Sequence, residues 1–226
     1  MVAVMSSEVE ICNMALSKIR AGSINSLTEN SIQAQQCKLW YPYCRRFLLE
    51  DSPWGFATKI AALAVLSGED LFNWSYVYQY PSDCLYLNRL ILNYEQHGDP
   101  ADGIAVRSRH LEEIYSPDLE QQIEYRVYNV EGDNGKVIAA NDADLRAEYR
   151  FNVTDPNKFS NSFVETLAAY LASKIAIPIV GAEMGRQFKK DALDEYMMLV
   201  SAATANDRNQ EFQPQVESDF ILIRNT

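Results

Sequence analysis

Between residues 145 and 153, Leu145, Ala147, Tyr149, Phe151 and Val153 alternate with Arg146, Glu148, Arg150 and Asn152. That period of two predicts a strand with one apolar and one solvated face. After Thr154-Asp155-Pro156 the period becomes 3.6: Val164, Ala168, Leu171 and Ile175 fall on one side of a helix, with Phe159, Phe163 and Leu167 on an adjoining side. Asp155 is placed to cap this helix, and Pro156 stands where a missing N–H costs nothing. Ala168, Ala169, Ala172 and Ala176 leave little bulk, so a second helix can approach closely. Pro178 and Gly181 are expected to end the segment.

The same reading extends over the chain. Ser7-x-x-Glu10 is a capping box opening a first helix with Val9, Cys12, Leu16 and Ile19 inside, stopped by Gly22. A second helix is expected after Ser26-Leu27-Thr28-Glu29, burying Ala34, Cys37, Tyr41, Cys44 and Leu48. Pro42 lies inside it and predicts a bend or restart near Tyr41, because proline removes one hydrogen bond and crowds the preceding turn. Asp51-Ser52-Pro53-Trp54-Gly55-Phe56 reads as a turn whose aromatics plug the core. The apolar run 59–66 fits strand or helix equally.

From Trp74 the pattern is strand-like. Trp74, Tyr76, Tyr78 and Tyr80 share one side of a strand ending at Pro81, and 84–92 is a further strand, followed by a polar loop over 95–103. Ile123, Tyr125 and Val127 alternate with Glu124, Arg126 and Tyr128, and the turn 131–135, with Asn134-Gly135, leads to a partner strand at 136–140. A last helix over 184–205 presents Phe188, Ala192, Tyr196 and Leu199 and pairs with 161–175 as a hairpin. The fold class expected is α+β: a bundle of two helical pairs with an inserted, mainly antiparallel sheet. The boundaries are 1–58 and 157–206 for the bundle, 59–156 for the β-rich insertion and 207–226 for an extended C-terminal arm.

A chain of 226 residues, 47% of them hydrophobic, can bury a substantial core. It contains no run of about 18 apolar residues, and its first ten residues lack a basic region followed by an apolar one, so neither a membrane span nor a secretion signal is expected. Four unevenly spaced cysteines without a C-x-x-C pair predict buried thiols in a reducing cytosol. The net charge of −11 disfavours a protein that grips nucleic acid through phosphate neutralisation. It is compatible with plain solubility, and equally with a like-charged wall along which DNA slides. The acidity is concentrated: residues 99–156 hold 13 acids and 6 bases, whereas 157–205 hold 5 of each.

Taken together, the segment 145–181, Pro53-Trp54-Gly55-Phe56-Ala57 and Tyr80-Pro81-Ser82-Asp83-Cys84-Leu85 resemble the tail tubular protein A family, the head-to-tail adaptors of short-tailed, autographivirus-like bacteriophages. The resemblance runs from Glu10 to about Asp207 and rests on the order and spacing of packing motifs. It implies a structural virion protein of the tail, made in the host cytoplasm, that forms a dodecameric ring between the portal protein and the tail nozzle protein. DNA would pass through the channel without sequence-specific binding. A ring needs two different complementary surfaces per subunit. The helices are expected to form its wall, and the sheet or the loops 96–102 and 132–135 its nozzle-facing contact. The arm ends in an apolar patch, and either folds back on the domain or docks on a neighbour. The resemblance favours docking on the portal through Phe212, Phe220, Ile221, Leu222, Ile223 and Arg224.

Chemistry is poorly supported. The two histidines, His97 and His110, sit among polar loop residues, and no phosphate-binding, dinucleotide-binding or zinc-protease motif occurs. No catalytic residue, cofactor or metal is therefore expected. Glu112 with Glu113, or Asp142 with Asp144, are the carboxylate pairs available to a cell-wall or polysaccharide hydrolase, the alternative that the family resemblance keeps open. Neighbours on a strand point to opposite faces, which places Glu112 and Glu113 poorly as a pair. Arg45-Arg46-Phe47 and Arg107-Ser108-Arg109-His110 are too short for a DNA-binding stripe and read as ion-pairing residues. A binding module of the same class outside any virus is the third possibility.

Overall fold

The computed structural model describes residues 7–67, 71, 73–92, 123–131 and 135–208, with backbone alone for 204–208. The protein is α+β, with four helices and two small antiparallel sheets among the described residues. Helix α1 spans Glu8–Lys18 and α2 spans Ile32–Asp51. Strands β1 (Thr58–Ala62), β2 (Tyr76–Gln79), β3 (Cys84–Leu92), β4 (Tyr125–Asn129), β5 (Lys136–Ala140) and β6 (Leu145–Phe151) follow, then α3 (Asn161–Val180) and α4 (Ala182–Arg208).

The capping box closes α1 from both sides: Glu10 N–H donates to Ser7 Oγ at 3.1 Å, and Ser7 N–H donates to Glu10 Oε2 at 2.7 Å. The helix stops before Gly22, because Arg20 already takes a left-handed φ of 56° and Ala21 N–H turns back to the Leu16 carbonyl. Helix α2 starts two residues later than expected, capped by Ser31, while Asn25 to Glu29 form a hydrogen-bonded turn ahead of it. Pro42 neither ends nor restarts α2, which runs unbroken through it. Proline stands on the exposed side of the helix, so the Lys38 carbonyl that loses its partner faces water rather than the core.

A comparable shift occurs before α3. Asp155 caps the short 3-10 turn Pro156–Lys158, and Ser160 caps the helix. Pro178 lies within α3. The helix ends at Gly181, whose φ of 89° and ψ of 169° suit glycine, and α4 begins at the next residue. So tight a reversal brings the helices together: a Cβ on Gly185 would lie 2.8 Å from Ile177 Cα.

Helix α3 is the centre of the helical layer and packs against α1, α2 and α4. Among the described residues it alone has the length and hydropathy to cross a membrane, but 67% of that stretch is buried inside the protein, as befits a core helix. Its Phe163, Leu167, Leu171 and Ile175 meet Ile11, Leu16, Cys37, Tyr41, Cys44 and Leu48 in one apolar core. Trp54 plugs it, 2% exposed, with its indole N–H donating to the Leu48 carbonyl at 2.9 Å and its ring edge-on to Phe163.

The described residues between the helical pairs form two sheets, not one. The orders are β1-β6-β3 and β2-β5-β4, with every neighbouring pair antiparallel. The ambiguous run 59–66 joins them. Its first half is β1, paired with β6, and its second half bonds to β2 through Gln79 N–H to Ala64 O and Leu66 N–H to Val77 O. Tyr78, Ile138 and Ala140 of one sheet and Leu87, Leu90, Leu145, Ala147 and Tyr149 of the other share a second, smaller core. Gly135, at φ 58°, provides the left-handed residue of the β4–β5 turn. Val127 is 40% exposed at the edge strand β4, whereas Arg150, expected in solvent, is 8% exposed.

Candidate assembly surfaces

The sheets are fastened to the helices by two arginines reaching in opposite directions. Arg45 on α2 donates to Asn152 Oδ1 at 3.3 Å, with Glu8 Oε1 4.0 Å away. Arg150 on β6 donates to the Glu50 carbonyl at 2.5 Å and to Asn88 Oδ1 at 3.3 Å, and its guanidinium lies 4.1 Å from the centre of the Tyr86 ring. Glu50 lies in the last turn of α2, where carbonyls lack helical partners and the helix dipole is negative, so a cation satisfies both needs. This explains the burial of a residue that period-two reading assigns to solvent.

Beside this junction, Lys59 Nζ donates to Asp83 Oδ2 at 2.6 Å and Tyr149 Oη donates to Asp83 Oδ1 at 3.0 Å. Lys59 also lies 4.9 Å from the centre of the Phe151 ring. Burial acts to raise the Asp83 carboxyl, but the hydrogen bonds from Lys59 and Tyr149 prevail and hold it below its ordinary value, while Asp83 raises Lys59. The thiols are interior groups: Cys12, Cys37 and Cys44 are buried and Cys84 is half-buried. A hydrogen bond with Cys37 and burial raise the Cys12 thiol, and burial pushes Cys44 up to about 12.

The outward side of the helical layer is different in kind. On α2, Ile32, Leu39 and Tyr43 are 60%, 65% and 51% exposed, and their spacing of seven and four places them in one strip opposite the buried one. On α4, Met184, Met197 and Met198 are exposed on the side turned away from α3. Between these strips Phe47, Tyr170 and Tyr196 stack in series at 5.0 and 4.8 Å across α2, α3 and α4, and burial pushes both tyrosines up to about 12. Sequence reading found the buried stripes and passed over these outer ones, although the apolar positions 32, 39 and 43 carried the signal.

Of the carboxylates considered for hydrolysis, Asp142 and Asp144 stand exposed in the turn between β5 and β6, and the Asp142 carbonyl accepts the Tyr78 hydroxyl at 2.7 Å. They hold a turn, with Asp144 at a φ of 52°. Glu112, Glu113, His97, His110, Arg107 and Arg109 lie outside the described residues, as do the loop 96–102, Gly132 to Asn134, and Phe212, Phe220, Ile221, Leu222, Ile223 and Arg224. Among the described residues, no cluster of three or more His, Cys, Asp or Glu is disposed to hold a metal ion. Compared with protein-family models and with curated proteins, the chain finds no match in either.

Proposed function

We propose that this protein is a structural subunit of a phage tail, a head-to-tail adaptor that closes into a ring between portal and nozzle and leaves a channel for DNA. The observation that carries the reading is the pair of apolar strips on α2 and α4, which lie on different helices and stand more than half exposed, Tyr43 being stacked on Phe47 of its own helix. Large exposed apolar side chains in register on a rigid helix mark a surface that is covered in the working state. Two different strips on one subunit meet the requirement of a head-to-tail contact that closes by rotation. The order of packing motifs along the chain, with its likeness to tail tubular protein A, supports the assignment to portal and nozzle.

The test is the mass of the 25.7 kDa chain in solution, alone and with purified portal of a short-tailed phage. A closed ring of fixed copy number, joined end-on to portal in negative-stain images, is the expected result. Removing residues 209–226 should leave the helical content and the ring unchanged and abolish attachment to portal. A truncated chain that still joins portal would remove the arm from the reading; a chain that stays monomeric in both settings would overturn the ring.

A further inference from the structure

The strips on α2 and α4 carry charges as well as apolar groups, and the two sequences of character match. Reading α2 from its middle towards its C-terminus, the exposed positions along the strip are Leu39 and Tyr43, then Arg46, then Glu50. Reading α4 in the reverse direction, they are Met198 and Met197, then Asp194 and Asp191, then Lys190. Both helices rise about 1.5 Å per residue, so Tyr43, Arg46 and Glu50 and, in the reverse direction, Met197, Asp194 and Lys190 follow one another at the same spacings and each series extends over about 10 Å. Laid antiparallel, the two bring apolar groups against apolar groups, Arg46 against Asp194, and Glu50 against Lys190. Laid parallel with the apolar groups still in contact, they place Arg46 beside Ala202 and the match is lost.

None of these charges forms an ion pair with another described residue: the pairs found are Lys18–Glu195, Arg45–Glu8, Lys59–Asp83 and Arg89–Glu148. Asp191 accepts only the side-chain amide of Gln187, at 2.7 Å. Complementary potentials of this kind select a partner and set its register more than they add affinity, while the apolar groups provide the attraction.

We infer that the α2 strip of one copy docks antiparallel on the α4 strip of a second copy, with Leu39 and Tyr43 against Met197 and Met198 and with Arg46 facing Asp194. The inference deepens the ring reading and rests on it. Its occupant is this same chain, because both halves of the complementary pattern are present on one molecule.

Two cysteine variants in a Cys84→Ser background test the contact, since the remaining cysteines are buried. Tyr43→Cys and Met198→Cys copies, mixed at high concentration and oxidised with copper phenanthroline, should form a disulfide-linked heterodimer, whereas neither alone should cross-link through the new cysteine. Arg46→Glu and Asp194→Lys should each weaken self-association about tenfold, and the double exchange should restore it, because like charges across an interface oppose docking. A ring that forms without the mixed cross-link, indifferent to both charge reversals, would overturn this contact and leave the ring reading standing. A mixed cross-link in a species of only two copies would keep the contact and overturn the ring. No self-association at any concentration, with or without portal, would overturn both.

Discussion

The helical layer and the paired sheets are finished in opposite ways. The sheets turn their apolar faces on each other, and polar contacts such as Lys59–Asp83 and Arg89–Glu148 hold the rim. The helical layer buries one stripe of α2 and of α4 on α3 and leaves a second on the outside. A helix has more than two sides and can serve an internal core and an external partner at once, whereas a strand offers two faces only. The difference teaches where assembly belongs in this molecule, and it can be broken or sharpened in five ways.

The largest effect is expected from Trp54→Ala. It empties a site 2% exposed and removes the donor to Leu48, so the helical layer should lose about 3–5 kcal/mol in urea unfolding. A loss below about 1 kcal/mol would show that the plug is dispensable. Gly185→Ala comes next. Alanine ordinarily favours a helix over glycine, but here its methyl would meet Ile177 backbone at 2.8 Å, and about 1–3 kcal/mol of destabilisation should replace the usual gain. A raised Tm would refute that close approach.

Arg150→Met separates the two halves most directly. It leaves the Glu50 carbonyl and Asn88 without their donor and should cost about 1–3 kcal/mol, with the sheets losing hydrogen-exchange protection before the helices. Loss of protection in both at once would mean that the junction does not couple them as described. Tyr78→Phe removes one hydroxyl donating to the Asp142 carbonyl in the sheet core, and about 1 kcal/mol is expected by the same measurement.

The smallest effect is that of Lys59→Met, about 0.2–1 kcal/mol, because both charges are about 40% exposed and screened by water. Its pH dependence is the informative part. The Asp83 carboxyl is depressed from 3.8, so its contribution is present above that value and lost as pH falls through the lower folded one. Lys59 is raised from 10.5, so its contribution persists to that pH and is lost above it. The difference between variant and parent should therefore be flat at neutral pH and vanish at both extremes. A difference that grows in acid would contradict the pairing.

Much of the helical layer was legible because its signals are local. The capping box Ser7–Glu10 satisfies two N–H groups within four residues, and Ala34, Cys37, Tyr41, Cys44 and Leu48 keep one side of α2 whatever they pack against. Caps were legible in kind but misplaced: Asp155 does cap, but it caps a 3-10 turn, and the serine five residues on caps the helix. The division into two sheets was not legible. Residues 58–66 change partner midway, from β6 to β2, and no period within nine residues records a change of neighbour.

The amino-acid sequence alone determined the helices with their inner stripes, the strands other than β1, the turns at Gly135 and Gly181, and the concentration of acidity in the middle of the chain. These follow from backbone geometry, side-chain period and charge, which need no distant partner. Only the tertiary structure decided that Arg150 is buried, since the free carbonyl it satisfies lies one hundred residues earlier at Glu50. The tertiary structure likewise decided which apolar residues of α2 and α4 remain outside. An apolar position outside the main stripe of a helix carries no mark of its own until a core has covered the rest, and the strips left over are the ones the proposed ring uses.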